Sequence, residues 1–250
     1  MCKRLSILVL LVVVFFTSCQ DKQSSTKNNS EETHKVVKNS QKDTLDSQDS
    51  VKEVSSEEKN SETEKESDFP IQQEKLIPFL TKYGKENPEN HVKITTQFGS
   101  FEITLFKDTP LHRANFIMLV KKGYFNDTYF YRVAPNFVIQ GGNSDNVSTG
   151  EKRHEIGNYL IPNEFGAGHK HVRGAVSAAK YAEQNTSKAS SPFEFFVVLN
   201  KNGAHHLDNE HTVFGYVSKG MDVVDEISKV KTSDAEWPID NVYIDAEIIE

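Results

Sequence analysis

The chain has 250 residues, a net charge of −7, 36% hydrophobic residues and only two cysteines, Cys2 and Cys19. Both cysteines lie in the first nineteen residues, so the rest of the chain has no thiol for a disulfide, a thiolate metal site or a cysteine nucleophile. No dense cluster of lysine and arginine accompanies the acidic balance, so the charge gives no case for a nucleic-acid partner, and none is expected.

Residues 1–19 carry Lys3 and Arg4, then LSILVLLVVVFF, then Thr17-Ser18-Cys19. A charged start, an apolar run short for a membrane span and small residues at the end are the parts of a secretory signal peptide. The ending resembles a bacterial lipobox with Phe16 in place of the usual leucine, which makes Cys19 the lipidated first residue of the mature chain. An uncleaved anchor and a signal without lipid are the alternatives. Residues 20–68 are polar and nearly free of aromatics, and from Asp21 to Asp68 they hold 8 Lys against 13 Asp and Glu, net −5. Such a segment cannot bury enough apolar surface to offset the entropy of ordering, and it reads as a solvated, disordered tether.

Residues 69–90 are transitional. Ile71 to Tyr83 has the spacing of one short helix, with Leu76, Phe79 and Leu80 on one face and Pro78 within it. A compact domain is expected from His91 to Glu250, long enough for one well-packed core. Val92, Ile94 and Thr96 alternate with polar residues, as do Phe101, Ile103 and Leu105, so a hairpin turning at Gly99-Ser100 opens it. Asp108 or Thr109 caps a helix with Pro110 at its first position and Gly123 as its stop.

Phe130 to Gly142 reads FYRVAPNFVIQGG, one arginine in an apolar and aromatic run. Arginine is rarely buried without a partner, so the pattern describes an apolar pocket with a fixed cation at its edge. A polar, glycine-bearing loop is expected from Gly141 to about Asn158. Strands are expected at Val172–Ala178, Phe193–Leu199 and Val213–Val217, the second buried on both faces. Met221 to Lys229 has helical spacing, and Val242 to Ile248 alternates as one half-buried strand. Many short strands with two helices indicate a mainly β antiparallel barrel or sandwich.

Phe-x-Arg, a short turn, Phe and then Gln-Gly-Gly resemble the signature of the cyclophilin-type peptidyl-prolyl isomerases. The likeness extends over about residues 91–250 through Asn115-Phe116, the Glu194-Phe195-Phe196 strand and the stretch Leu207 to Gly215. The resemblance implies a closed eight-stranded antiparallel barrel capped by two α-helices. It implies Arg132 as the catalytic arginine and Gln140 as the glutamine that holds it. It implies a proline pocket of Phe137, Val138, Phe196, Leu207 and His211, with Val138 where methionine is frequent. Ala179-Lys180 stands where the family has Ala-Asn to grip the peptide, so backbone groups are left for that task. Glu194 stands where the family has glutamine, and a carboxylate there can pair with Arg132 and compete with substrate. His206 stands where many members carry a pocket tryptophan, Trp237 being elsewhere, as packing or at the surface. The segment Tyr181 to Ser191 is longer than usual and lies near the groove.

The implied chemistry is rotation about an X-Pro bond, against a barrier of about 18–20 kcal/mol. Planarity comes from the prolyl nitrogen donating into the carbonyl. A guanidinium aimed at that nitrogen withdraws the donation, with no metal, cofactor or covalent intermediate. The expected partners are proline-containing polypeptides and, through the lipid, a membrane of the bacterial envelope on its extracytoplasmic side. A monomer is expected. The alternative is a proline-peptide-binding module without turnover. The pairs His205-His206 and His169-x-His171 lack a metal-ligand spacing such as HExxH, so no metal is assigned to them. Ser177 has no nucleophile elbow around it.

Overall fold

The structure, a computed structural model, describes residues 68–181 and 185–250. The signal peptide, Cys19 and nearly all of the tether lie outside the described residues, as do 182–184 within the long segment before Ser191.

Among the described residues, nine strands form one antiparallel sheet: β1 (His91–Thr96), β2 (Gly99–Leu105), β3 (Tyr129–Ala134), β4 (Val138–Asn143), β5 (Ala175–Ala178), β6 (Phe195–Val198), β7 (Val213–Lys219), β8 (Val242–Tyr243) and β9 (Asp245–Ile248). Their order is β8-β3-β4-β6-β5-β7-β2-β1-β9. The first and last strands of that order are separated in the chain by Ile244 alone. Val242 pairs with Phe130 of β3, and Ala246 pairs with Ile94 of β1. The Ile244 N–H meanwhile leaves both ladders to bond the Thr128 carbonyl at 3.0 Å. One alternating stretch thus joins opposite ends of the sheet and curls it into a nearly closed barrel. That crossing splits the single strand expected at Val242–Ile248, and it raises the expected eight strands to nine.

Four α-helices accompany the barrel among the described residues, rather than two: α1 (Leu76–Glu86), α2 (Pro110–Lys121), α3 (Val147–Ile156) and α4 (Met221–Ile227). α1 starts later than Ile71 because Pro78 then falls in its first turn, where a missing N–H costs nothing. Ile71 is buried separately, its N–H bonded to the Ile156 carbonyl at 2.8 Å. Leu76 and Leu80 enter the same apolar cluster as the barrel interior, so the segment read as transitional supplies part of the main core. The hairpin turns at Gln97-Phe98, and Gly99 is instead the first residue of β2.

α2 is buried along its whole middle, from His112 to Val120. Its free N–H groups are not capped by Asp108 or Thr109. The carboxylate of Glu164 does so, accepting from the Leu111 and His112 N–H groups at 3.0 Å each. α3 lies within the segment expected to be loop. Its local propensity is poor, and tertiary partners hold it. Ser144 and Thr149 hydroxyls pair at 2.6 Å, Thr149 also donates to the Asp127 carbonyl, and Arg153 anchors its last turn. Gly157 closes it with φ 128°.

β6 is buried on both faces because it separates two apolar clusters. Phe195 and Val197 join the main core, with Phe101, Phe130 and Ile139. Phe196 and Val198 join a smaller cluster with Val138, Ala175 and Val213, against which Phe137 and Leu207 pack. This second cluster is the floor of the candidate site.

Candidate active site

Arg132 on β3 is the register partner of Gln140 on β4. The ladder slips between Phe130 and Arg132, leaving Tyr131 as a bulge residue. A bulge lets consecutive side chains serve one site, against the strict alternation of a regular strand. Gln140 accordingly meets both neighbours. Its Oε1 accepts from Arg132 Nη1 at 3.5 Å, and its Nε2 donates to the Tyr131 hydroxyl. The strand-end glycine that follows is forced: Gly142 has φ +94°, and a Cβ there would collide with the Phe193 carbonyl.

The chain turns at Pro135-Asn136, with the Phe137 N–H donating to the Ala134 carbonyl at 3.0 Å. Phe137 thereby comes to lie under the guanidinium, whose carbon is 5.8 Å from the ring centre. His206, exposed, stacks on the Phe137 ring at 5.4 Å. Around them is a pocket of about 160 Å³ lined by Arg132, Phe137, Val138, Gln140, Ala179, Lys180, Phe196, Leu207 and His211. Nine of the eleven residues expected from the sequence therefore share one wall. His206 lies at the rim, on Phe137, and Glu194 lies behind.

Glu194 does not meet Arg132. Arg153 of α3 takes its Oε1 at 3.1 Å, and the Tyr131 hydroxyl donates to its Oε2 at 3.0 Å. Arg153 Nε also donates to Tyr124, whose hydroxyl donates to the Gly142 carbonyl at 2.9 Å. A hydrogen-bond network thus runs behind the pocket, with the Glu194 carboxylate accepting from both sides. Burial, then the Glu194 charge, pushes the Tyr131 hydroxyl upward in pKa, which keeps it a donor. Arg132 has a different counterion, Glu236, whose Oε2 lies 2.7 Å from both Nε and Nη2. Tyr131, Arg153 and Glu236 escape sequence reasoning. Tyr131 alone had a signal, its adjacency to Arg132. Trp237, beside Glu236, is a surface residue at 64% exposure.

Lys180 is paired with Glu210 at 2.8 Å, and Lys188 reaches the same carboxylate at 2.6 Å. The two lysines hold Glu210 down to about 2. The Ala179 N–H bonds the Glu194 carbonyl at 2.9 Å, and its C=O accepts one bond, from the Ser191 N–H at 2.8 Å, which leaves that oxygen one lone pair.

The histidines have structural partners. His169 stacks on Phe106 and bonds Asp108. His211 Nδ1 donates to the Ala178 carbonyl at 3.0 Å, and its ring meets Phe196 edge-on. Burial holds His211 below the usual histidine range, so it is a neutral wall. His171, fully buried and stacked on Phe196, bridges Asp208 Oδ1 at 2.9 Å and Ser177 Oγ at 3.0 Å. That connectivity is Asp-His-Ser, yet Ser177 is 0% exposed and its hydroxyl is also 3.0 Å from the Thr212 carbonyl. No substrate atom reaches it, and the trio braces the pocket floor.

Burial depresses His171, with Asp208 opposing the shift only partly. Burial alone would raise Asp208, but bonds from the His171 N–H, the His171 ring and His205 hold it down to about 2. The depressed histidine fixes a sign. The unfolded chain takes up protons first as pH falls below about 6.5, so this stability is intact above that value and is lost toward the lower folded-state pKa. The urea midpoint should therefore be lower at pH 5 than at pH 7.5, and His171→Gln should flatten the dependence. A midpoint that rises on acidification would contradict a neutral, buried His171.

Residues 91–247 match the family model described as cyclophilin type peptidyl-prolyl cis-trans isomerase/CLD. The chain belongs to the cyclophilin-type peptidyl-prolyl cis-trans isomerase family. It is 33% identical over 161 residues to "peptidyl-prolyl cis-trans isomerase-like 1" of Aspergillus fumigatus, covering 64% of this chain and 95% of that protein. It is 35% identical over 158 residues to "peptidyl-prolyl cis-trans isomerase-like 2" of Rhizopus delemar, where the match spans 62% of this chain but 28% of the relative. A crystal structure of a Cryptosporidium parvum cyclophilin-type isomerase, determined in the presence of the dipeptide Ala-Pro, superposes with a TM-score of 0.54 at 25% identity over 64% of this chain and 99% of that one.

Proposed function

We propose that this chain catalyses cis–trans isomerisation of X-Pro bonds in polypeptides folding in the bacterial cell envelope, with Arg132 as the group that weakens the prolyl amide. One observation carries the reading: a guanidinium is fixed at the edge of an apolar pocket of about 160 Å³, a size suited to a prolyl ring. The proline ring fills the space between Phe137, Phe196 and Leu207. Arg132, oriented through Gln140, then meets the prolyl nitrogen as its lone pair leaves conjugation. The twisted amide is held better than either planar form, which is the condition for a faster exchange. The Ala-Pro dipeptide used with the related Cryptosporidium parvum isomerase supports the ligand class. The binding-module alternative is motivated by Glu194 and Lys180; Glu194 is engaged by Arg153 and Tyr131 rather than by Arg132, and Lys180 by Glu210. A protease-coupled proline-peptide assay with an Arg132→Ala control tests the reading.

The envelope assignment rests on the sequence of residues 1–19, with Cys19 as the lipid-bearing residue. Two or more acyl chains suffice for stable membrane attachment. Cells fed labelled palmitate should label the protein, and Cys19→Ala should remove the label. Equal labelling of both forms would end the lipobox reading.

A further inference from the structure

Glu236 stands 104 residues from Arg132 in sequence and grips it directly. It lies in the segment 231–239, a small closed strap. The Ile239 N–H bonds the Lys231 carbonyl at 2.9 Å, Thr232 bridges Pro238, and the Ser233 N–H bonds the Trp237 carbonyl at 2.8 Å. Near its tip, Glu236 has φ 63°. A non-glycine residue in that left-handed region is strained by its Cβ.

The ion pair does not account for the strain through stability. The two side chains are 32% and 42% exposed, and ion pairs so open to solvent add little to stability. Geometry offers a better account. The Glu236 carbonyl accepts from the Val133 N–H at 2.8 Å, and its carboxylate takes the Arg132 side chain. Consecutive residues of β3 are thus clasped by one residue, by backbone and by side chain. Nε and Nη2 are both committed to a single oxygen, Oε2, at 2.7 Å. The guanidinium is planar, so fixing that edge fixes the direction of the remaining nitrogen, Nη1. That nitrogen is the one beside Gln140 Oε1.

We propose that Glu236 is a positioning residue for the isomerase reaction: the strap holds the outer edge of the Arg132 guanidinium so that Nη1 faces the proline pocket. The proposal rests on the reading of Arg132 given above. Backbone strain of this kind persists where the surrounding structure fixes it and where function uses the result. A misdirected catalytic group costs rate more than binding, since the apolar pocket still takes the proline.

The test compares wild type, Arg132→Ala, Glu236→Ala, Glu236→Gln and Glu236→Asp by two-dimensional NMR exchange on a proline peptide, with thermal melts beside it. Glu236→Ala should lose about tenfold in kcat with KM within about twofold and the melt nearly unchanged. Glu236→Gln, which keeps an acceptor oxygen, should retain more activity than alanine, and Glu236→Asp should recover part of the loss. The Arg132 Nε–H resonance should broaden or vanish in Glu236→Ala and persist in Glu236→Gln. Wild-type kcat in Glu236→Ala, a raised kcat, or a loss confined to KM would overturn the positioning role. An inactive wild type would instead remove the isomerase reading itself, so the two failures are distinguishable.

Discussion

Arg132→Ala is expected to lower kcat/KM for a proline peptide by about two to three orders of magnitude, the scale seen when one preorganised electrostatic donor is lost. At about 1.4 kcal/mol per tenfold, this is about 3–4 kcal/mol of transition-state stabilisation. Peptide affinity should change far less, because Phe137, Val138, Phe196 and Leu207 remain to hold the ring. The fold should survive, since Arg132 is 32% exposed and its partner Glu236 reaches solvent. The coupled assay reads the rate, and shifts of Phe137 and Phe196 resonances on peptide addition read the binding. Wild type and variant both at the uncatalysed rate, with shifts retained, would make the protein a binding module. Equal activity well above background would remove Arg132 from the chemistry.

The second large effect is expected behind the pocket. Arg153→Leu leaves the Glu194 carboxylate, whose side chain is 12% exposed, with the Tyr131 hydroxyl as its remaining side-chain partner among the described residues. Removing one member of a buried pair costs about 3–5 kcal/mol, and the 23% exposure of Arg153 brings the expectation to about 2–3 kcal/mol. The uncompensated charge is linked to Arg132 by hydrogen bonds through Tyr131 and Gln140, so turnover should fall as well. The double change Arg153→Leu with Glu194→Gln removes both charges and should regain at least half of the lost stability. Urea denaturation of the four proteins in the cycle measures this. A double variant no more stable than Arg153→Leu alone would show that the pair is not what holds this region.

What the sequence disclosed follows physical range. The hairpin of Val92, Ile94, Phe101, Ile103 and Leu105 was legible because period-two alternation is local, and α2 was legible from Pro110 and Gly123. Its cap was not, because Glu164 comes from a loop 53 residues away. α3 was hidden for the same reason: its helix depends on Asp127, Tyr124 and Glu194 rather than on its own propensity. The pocket lining was legible through the ordered likeness from Phe130 to His211. The counterions were not. Glu194 looked free to meet Arg132 because a one-dimensional reading could place neither Arg153 nor Glu236. The split at Ile244 was invisible too, since alternation shows which face is buried and not which neighbour a strand joins.

α1 also decides how the folded part meets a mechanical load. A pull applied at residue 68 reaches Phe69, which packs edge-on against Phe79 and lies under Lys122, before it reaches any strand. Beyond it come Ile71, Leu76 and Leu80, each buried and each holding about 2 kcal/mol of apolar contact. β1 is further protected, zipped on both sides between β2 and β9. α1 and the residues before it therefore lie between a pull at residue 68 and the first barrel strand, and their core contacts are the first to bear it.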